Sequence, residues 1–436
     1  MDDTIKAKSI DPATQEILKK AQEECIPTAW DRLQSQQPQC GFGQLGVCCT
    51  VCSMGPCRID PFGEGAQSGV CGANADTIAA RNLARKIAVG ASAHSDHGRD
   101  VAHALSLVTK GHAQSAHSHD YEVSDVQKLK VLAEEFGIDV NQEKEKIAAE
   151  LSSKLSGEFG KQEGELVFSK RAPKKRQQIW KKLNITPRGI DREVVELLHT
   201  TTMGVDNDYK NIINSGMRCA LSDGWGGSMV ATDVQDIILG SPQPIRGKVN
   251  LGVLKDNYVN IVVHGHEPVL SEMAVKASKD PELLKLAKSA GAEGINLAGI
   301  CCTANEVLMR HGIPVAGNFL QQELAIITGA VEVMMVDVQC IMPALHEVAS
   351  CFHTKLVTTS PKARFPGVIH VEFRPQNAYE VAKQIIRLGI ENFANRDKAR
   401  VNIPKQEMDL VAGFTKEIVF QILGGRYRST YKPLNE

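Results

Sequence analysis

Six of the twelve cysteines in this 436-residue sequence lie between Cys40 and Cys71. The stretch reads CGFGQLGVCCTVCSMGPCRIDPFGEGAQSGVC. Seven residues separate Cys40 from Cys48, and Cys49, Cys52, Cys57 and Cys71 follow with two, four and thirteen between them. Thiolates at such spacing bind soft metals. Gly41, Gly43, Gly46 and Gly55 let the backbone fold closely around a bound group, and amides brought near a cluster can donate to its sulfurs. Three chemistries compete. Disulfides need an oxidising compartment, and the opening MDDTIKAKSI shows no apolar export segment. Structural zinc takes four thiolates. An iron–sulfur cluster also takes four, and it is the reading the spacing favours.

The adjacent pair Cys48–Cys49 sharpens the assignment. Neighbours in an extended segment point to opposite sides, so one small cluster cannot easily take both. Cys49, Cys52, Cys57 and Cys71 are therefore grouped as one four-thiolate site. Cys40 and Cys48 remain as half a site, which a two-fold homodimer would complete with the partner's copies. The alternative is that these two are buried thiols.

A second set of candidate ligands lies far along the chain. His264 and His266 follow NIVV, Cys301 and Cys302 follow GINLAGI, and Cys340 follows VEVMMVDVQ. Imidazole and thiolate from separate strand ends suit a metal site. The competing reading is ordinary buried cysteine after a strand. His94, His97 and His103 occupy a run rich in small residues, and His112, His117 and His119 come after them. His94 and His97 share a helix face by spacing, and His103 is expected near it. Such a row is a candidate proton relay, because histidine titrates near neutral pH. Its competitor is a polar surface.

The elements that must position these residues divide the chain. Residues 10–36 and 76–245 carry helical spacing of apolar residues, including VSDVQKLKVLAEEFGI and REVVELLHTTTMG. After GSPQP the pattern becomes strand–helix alternation, from KVNLGVL to VIHVEF. That alternation implies a parallel sheet covered by helices on both faces, with ligands at the carboxyl ends of its strands. The expected class is α plus α/β: a helical cluster-bearing domain over 1–245, a Rossmann-like α/β domain over 246–400, and the start of another α/β domain over 401–436. No GxGxxG follows a first strand, so a dinucleotide site is not supported. The formal charge of −1 gives no case for nucleic acid, and no apolar run is long enough to span a membrane. The basic run Lys170–Arg176 reads as a solvated loop rather than a docking patch for an acidic carrier. A cytoplasmic, reduced protein is expected.

Beyond these patterns, four segments carry a resemblance: CGFGQLGVCCTVCSMGPCRI, VVHGHEPVLSE, INLAGICCTANEVLMRHGIPVAGNF and VDVQCIMPALHEVASCFHTKLVTT. Together they resemble the nickel–iron carbon monoxide dehydrogenases of anaerobic bacteria and archaea. The resemblance implies that Cys40 and Cys48 supply half of a subunit-bridging [4Fe-4S] cluster in a homodimer. It implies that Cys49, Cys52, Cys57 and Cys71 bind a [4Fe-4S] cluster within the chain. His266, in preference to His264, would join Cys302 and Cys340 as ligands of a Ni-4Fe-4S cluster. His94, His97 and His103 would belong to a proton relay, with Asp100 where another imidazole is expected. The implied reaction takes CO and water to carbon dioxide, two protons and two electrons. A ferredoxin-like acceptor is the implied partner, with a nickel-insertion factor or an acetyl-CoA synthase as further ones. In that family the active cluster takes more cysteines from a final domain, and only Cys340 and Cys351 follow Val338 here. The Ni-4Fe-4S cluster is therefore expected to be incomplete in this chain alone. The competing functions are a truncated, inactive iron–sulfur electron-transfer or assembly module, and a reductase like the hybrid-cluster proteins. The Cys48–Cys49 pair and the GICC and DVQC motifs argue against the last.

Overall fold

The computed structural model describes residues 3–108 and 122–421. His112, His117 and His119 lie outside the described residues. The chain divides into two compact units, one of Gln36–Leu239 and one of Met1–Ser35 with Gly240–Glu436. No helix among the described residues is long and apolar enough to cross a membrane.

The first unit is helical and is built on one long helix, Ala75–Val108. The helices Lys144–Gly160, Ile190–Thr200, Tyr209–Ser222 and Ser228–Leu239 all pack on it. The cause is legible in its residues. Ala80, Ala84, Ala88 and Ala91 recur at helical spacing and are buried against Val194, Leu197, Ile212 and Cys219. Side chains this small let neighbouring helices approach closely. Approach is closest at Gly98, where a Cβ would meet the Gly227 carbonyl oxygen at 2.7 Å. Gly227 ends a π-helical turn, Asp223–Gly227, which joins Tyr209–Ser222 to Ser228–Leu239. The cysteine loop precedes the long helix. Within it β1 (Cys48–Cys49) pairs antiparallel with β2 (Cys57–Arg58), setting Cys49 opposite Cys57. Asn82 on the long helix donates its amide to the carbonyls of Gly46 and Cys48, both at 2.9 Å, and so clamps the loop.

The second unit is α/β. Its strands are β3 (Ile245–Val249), β4 (Tyr258–Gly265), β5 (Gly294–Ile300), β6 (Val315–Gly317), β7 (Val331–Val336), β8 (Lys355–Thr358), β9 (Ile369–His370) and β10 (Met408–Ala412). They form one sheet in the order β10-β3-β6-β5-β4-β7-β8-β9. All pairs are parallel except β10 with β3. β7 (VEVMMV) is buried along its whole length, as expected for a strand covered on both faces. The helices Pro268–Ser278, Pro281–Ser289, Cys301–His311 and Ala378–Asn392 pack together over one face. Pro12–Glu23, Gln322–Ile327 and Leu345–Ser350 share the core of the other. From β4 the chain steps to β5 and β6 on one side, then crosses back over β4 to β7 and onward to β8. The order of strands therefore reverses between β4 and β7, and open α/β sheets bind ligands at such a reversal.

Two expected boundaries are corrected. The helix Pro12–Glu23 belongs to the α/β unit and not to the helical one. Its apolar side (Ala13, Ile17, Leu18 and Ala21) is buried with Leu324, Ile327 and Leu345, and its Lys20 ammonium donates to the Arg400 carbonyl. Residues 401–421 do not start another sheet: β10 pairs along all five residues of β3. It covers backbone groups that an edge strand would leave open. KVNLGVL is also shorter as a strand than expected, because Asn250 (φ +83°) ends it in a tight turn.

Gly98→Ala is expected to lower stability by about 1–3 kcal/mol, because the added methyl meets backbone rather than a movable side chain. Denaturant melts of the apo chain would measure this. An unchanged midpoint would show that the two helical segments are not in contact there.

Candidate metal centres

The first candidate centre lies in the helical unit. Cys49, Cys52, Cys57 and Cys71 line one cavity, together with Gly55, Gly69, Ala73, Ile78, Arg81 and Met203. The Val70 amide donates to Cys57 Sγ at 3.4 Å. A Cβ at Gly55 would meet the Cys49 carbonyl oxygen at 3.0 Å, so the loop closes only around glycine there. The Ala73 amide and, after it, the Arg81 guanidinium lower the Cys71 thiol below its ordinary pKa. Among the described residues, no three histidine, cysteine or acidic side chains are close enough to hold a single metal ion. Four sulfurs on one zinc would stand about 3.8 Å apart, given the usual Zn–S length. Four thiols that line one cavity without closing on a single ion fit a multi-atom group such as an iron–sulfur cluster. Cys48 and Cys40 are not among the lining residues; Cys40 is exposed and Cys48 half-buried.

The second candidate centre is the carboxyl edge of the sheet. His266 follows β4 and Cys340 follows β7, the two strands that flank the reversal. Cys301 and Cys302 open the helix after β5. A buried carboxylate ties these ends together. Asp337 accepts from the backbone amides of His266 (2.6 Å) and Glu267 (3.0 Å), from Thr303 Oγ1 (3.1 Å) and from its neighbour Val338. Burial nevertheless raises its pKa to about 6. Gly265, at φ +133°, leaves the room: any Cβ there would collide with Asp337 Oδ1. Cys301, Gln339 and Cys340 all hold left-handed φ values of 57–64°. Non-glycine residues keep that conformation only where their surroundings impose it, often at functional sites. Burial, with Cys340 and Cys302 nearby, pushes the Cys301 thiol up to about 12, and Cys302 is raised by burial and Cys340. A bound cation would reverse both, since metal ligation requires the thiolate.

The two candidate histidines differ in environment. His264 is fully buried, and its Nε2 donates to Gln322 Oε1 at 3.0 Å. Burial lowers it to about 4. Gln322 also donates to the Cys340 carbonyl (3.0 Å) and accepts from the Met342 amide (2.8 Å), so His264 belongs to the support of the Cys340 loop. His266 is partly exposed, and its Nδ1 lies 3.2 Å from the Val338 carbonyl oxygen. That contact requires the proton on Nδ1 and leaves the lone pair on Nε2, the tautomer a metal takes.

The histidine row is only partly assembled. His94 Nδ1 lies 2.8 Å from Asp223 Oδ1, and that carboxylate holds the imidazole above its ordinary pKa. The Gln235 amide donates to His97 Nε2 at 2.7 Å. His103 does not share their face. Nine residues at about 100° each turn the helix two and a half times, which sets His103 opposite His94. It is exposed, and its Nδ1 lies 3.5 Å from Ser106 Oγ of its own helix. Asp223, Gln235, Asp337 and Arg81 were not singled out from the sequence. Asp337 alone gave a signal, as an acid directly after an apolar strand. The basic run is solvated but is not a loop: Lys170 and Arg171 end a 3-10 turn and Lys174–Arg176 open the helix Lys174–Lys182, with Arg171 paired to Glu135 and Asp233 and Lys170, Lys174, Lys175 and Arg176 exposed.

Asp223→Asn should bring the raised His94 pKa back towards the ordinary histidine value. The attraction acts only on the protonated ring, so it is present at low pH and lost as pH rises through the folded pKa. NMR titration of the His94 ring in both proteins measures this. An identical titration would show that the pair does not form.

Known proteins share this arrangement along nearly the whole chain. The family model described as "Prismane/CO dehydrogenase family" matches residues 47–425. Carbon monoxide dehydrogenase 1 of Methanosarcina mazei is 56% identical over 98% of this chain and 67% of its own length. Carbon monoxide dehydrogenase 1 of Carboxydothermus hydrogenoformans is 46% identical over 95% of this chain and 65% of its own. The crystal structure of a nickel-free carbon monoxide dehydrogenase from Thermococcus sp. AM4 superposes with a TM-score of 0.93 at 53% identity, covering 97% of this chain and 66% of that one. The chain thus spans about two thirds of the length of these relatives. It belongs to the Prismane/CO dehydrogenase family.

Proposed function

We propose that this chain carries the iron–sulfur and part of the nickel-site machinery of an anaerobic carbon monoxide dehydrogenase. The reaction is CO plus water to carbon dioxide, two protons and two electrons. The observation that carries the reading is the cysteine cavity: four thiols from one glycine-rich loop line it together, and among the described residues no three such side chains close on a single ion. His266, Cys302 and Cys340, at the strand ends flanking and adjoining the reversal in the sheet, support the second part of it.

In this reading Cys49, Cys52, Cys57 and Cys71 hold a [4Fe-4S] cluster. Cys40 and Cys48 hold half of another across a homodimer. His266 through Nε2, with Cys302 and Cys340, supplies part of the ligand set of a Ni-4Fe-4S cluster. The metals, when bound, supply Lewis acidity and one-electron redox steps. The protein holds and moves the protons. His94, made more basic by its hydrogen bond to Asp223, holds a proton to higher pH than an isolated imidazole would. His97 is oriented by the Gln235 amide, which donates to its Nε2. Asp337 holds the His266 backbone while the ligands bind. A ferredoxin-like protein is the proposed electron acceptor, in the cytoplasm. A nickel-insertion factor or an acetyl-CoA synthase would be further partners.

A second reading follows from the ligand count. The described residues offer His266, Cys302 and Cys340 at the sheet edge, which are only part of a Ni-4Fe-4S ligand set. Alone, the chain would then act as an iron–sulfur module without CO turnover. The test is anaerobic purification, metal analysis and CO-dependent viologen reduction. Nickel with CO-dependent reduction is the expected result for the dehydrogenase reading. About six irons per chain (one four-iron cluster and half of a shared one), no nickel and no reduction would select the module. Zinc in place of iron would remove both.

A further inference from the structure

We propose that Arg81 is the buried counter-charge of the group held by Cys49, Cys52, Cys57 and Cys71, and that it raises that group's reduction potential. The proposal rests on the reading that these four cysteines bind an iron–sulfur cluster.

Arg81 is 1% exposed and heads the fully buried side chains by volume. A guanidinium does not lose its proton in a protein. Buried without an anionic partner, it would carry a heavy desolvation penalty. Among the described residues it has no carboxylate partner. Its Nη2 donates to Asn207 Oδ1 at 2.8 Å and to the Asp206 carbonyl oxygen at 3.2 Å, and both acceptors are neutral. Asp206 turns its own carboxylate to the Asp208 amide and the Asn211 side chain. Arg81 Nε is buried with no hydrogen-bond partner at all. The same side chain lines the cysteine cavity. A permanent cation therefore faces a space ringed by four thiols, with one donor left over.

An iron–sulfur core ligated by four thiolates is a net anion and gains one more negative charge when it takes up an electron. It supplies the charge that Arg81 lacks, and its sulfurs supply the acceptor that Nε lacks. A nearby cation favours the reduced form, because attraction grows with each added electron. The Asn207 and Asp206 contacts hold the planar guanidinium by Nη2, and at the cavity wall it already acts on the Cys71 thiol. A lysine could supply the charge but not the same fixed fork.

A purely structural role would make Arg81 only the tie that holds the loop ending at Asn207, and the experiment separates the two. Full-length wild type, Arg81→Gln and Arg81→Lys are purified without oxygen. Iron is counted, and the midpoint potential is measured by redox titration followed by EPR. A Cys48→Ser control identifies the signal of the shared cluster. The expected result is at least a tenfold fall in the equilibrium constant for reduction in Arg81→Gln, ~59 mV for one electron. Arg81→Lys should stay near wild type. Iron loss confined to Arg81→Gln supports the same conclusion. If Gln and Lys behave alike, whether both unshifted or both without cluster, charge is not what Arg81 contributes and the proposal fails. A wild-type chain without iron or a reducible EPR signal would instead remove the cysteine reading itself.

Discussion

Asp337 is the interaction on which the sheet edge depends. Its carboxylate lies under the loop after β4, beside the helix after β5, and at the end of its own strand β7. Each donor it satisfies would otherwise be a buried polar group short of a partner, at a cost of roughly 1–3 kcal/mol. Past the strand ends the backbone still pairs at Gly265 with Cys301, the Asp337 amide donates to the His264 carbonyl at 3.1 Å, and the carboxylate extends that alignment into the loops. Asp337 converts neighbouring strands into a fixed relation between His266, Cys302 and Cys340. The constraint reaches back to Gly265, where only the absence of a side chain leaves room for the carboxylate. Gln322 does parallel work one layer behind, holding His264 and the Cys340 loop together.

In the helical unit one long helix plays the corresponding part. Successive turns of Ala75–Val108 present Arg81 to the cysteine cavity, Asn82 to the loop carbonyls, His94 to Asp223 and His97 to Gln235. The alanines between them serve the same end. They bring the partner helices close enough for these short-range contacts to form. Packing and chemistry thus share one sequence, alternating around the helix.

Much of this was readable from residue order alone. The spacing from Cys49 to Cys71 grouped four cysteines that line one cavity, and the strand–helix alternation placed His266, Cys302 and Cys340 at strand ends. What was not readable depends on contacts distant in sequence. The helix Pro12–Glu23 carries an ordinary amphipathic pattern, and nothing local says which core will take it. β10 reads as the beginning of something new until its pairing with β3 is seen. Arg81 is one basic residue among several on its helix, and only its burial sets it apart. His103 is a different case: the helical period itself places it away from His94, so spacing judged without counting turns misled.

The π-helical turn at Asp223–Gly227 has a structural consequence of its own. Such a turn carries more residues than an α-helical one, so it advances the phase of everything that follows by roughly a hundred degrees per extra residue. Asp223 stands before that phase step, while Asp233, Gln235 and Asp236 stand after it. In an uninterrupted α-helix of the same composition, the orientation that aims Asp223 at His94 would swing Gln235 off His97 and Asp236 off Lys128. The bulge works as an angular offset between two sets of teeth, letting one continuous rod mesh with the long helix at both ends.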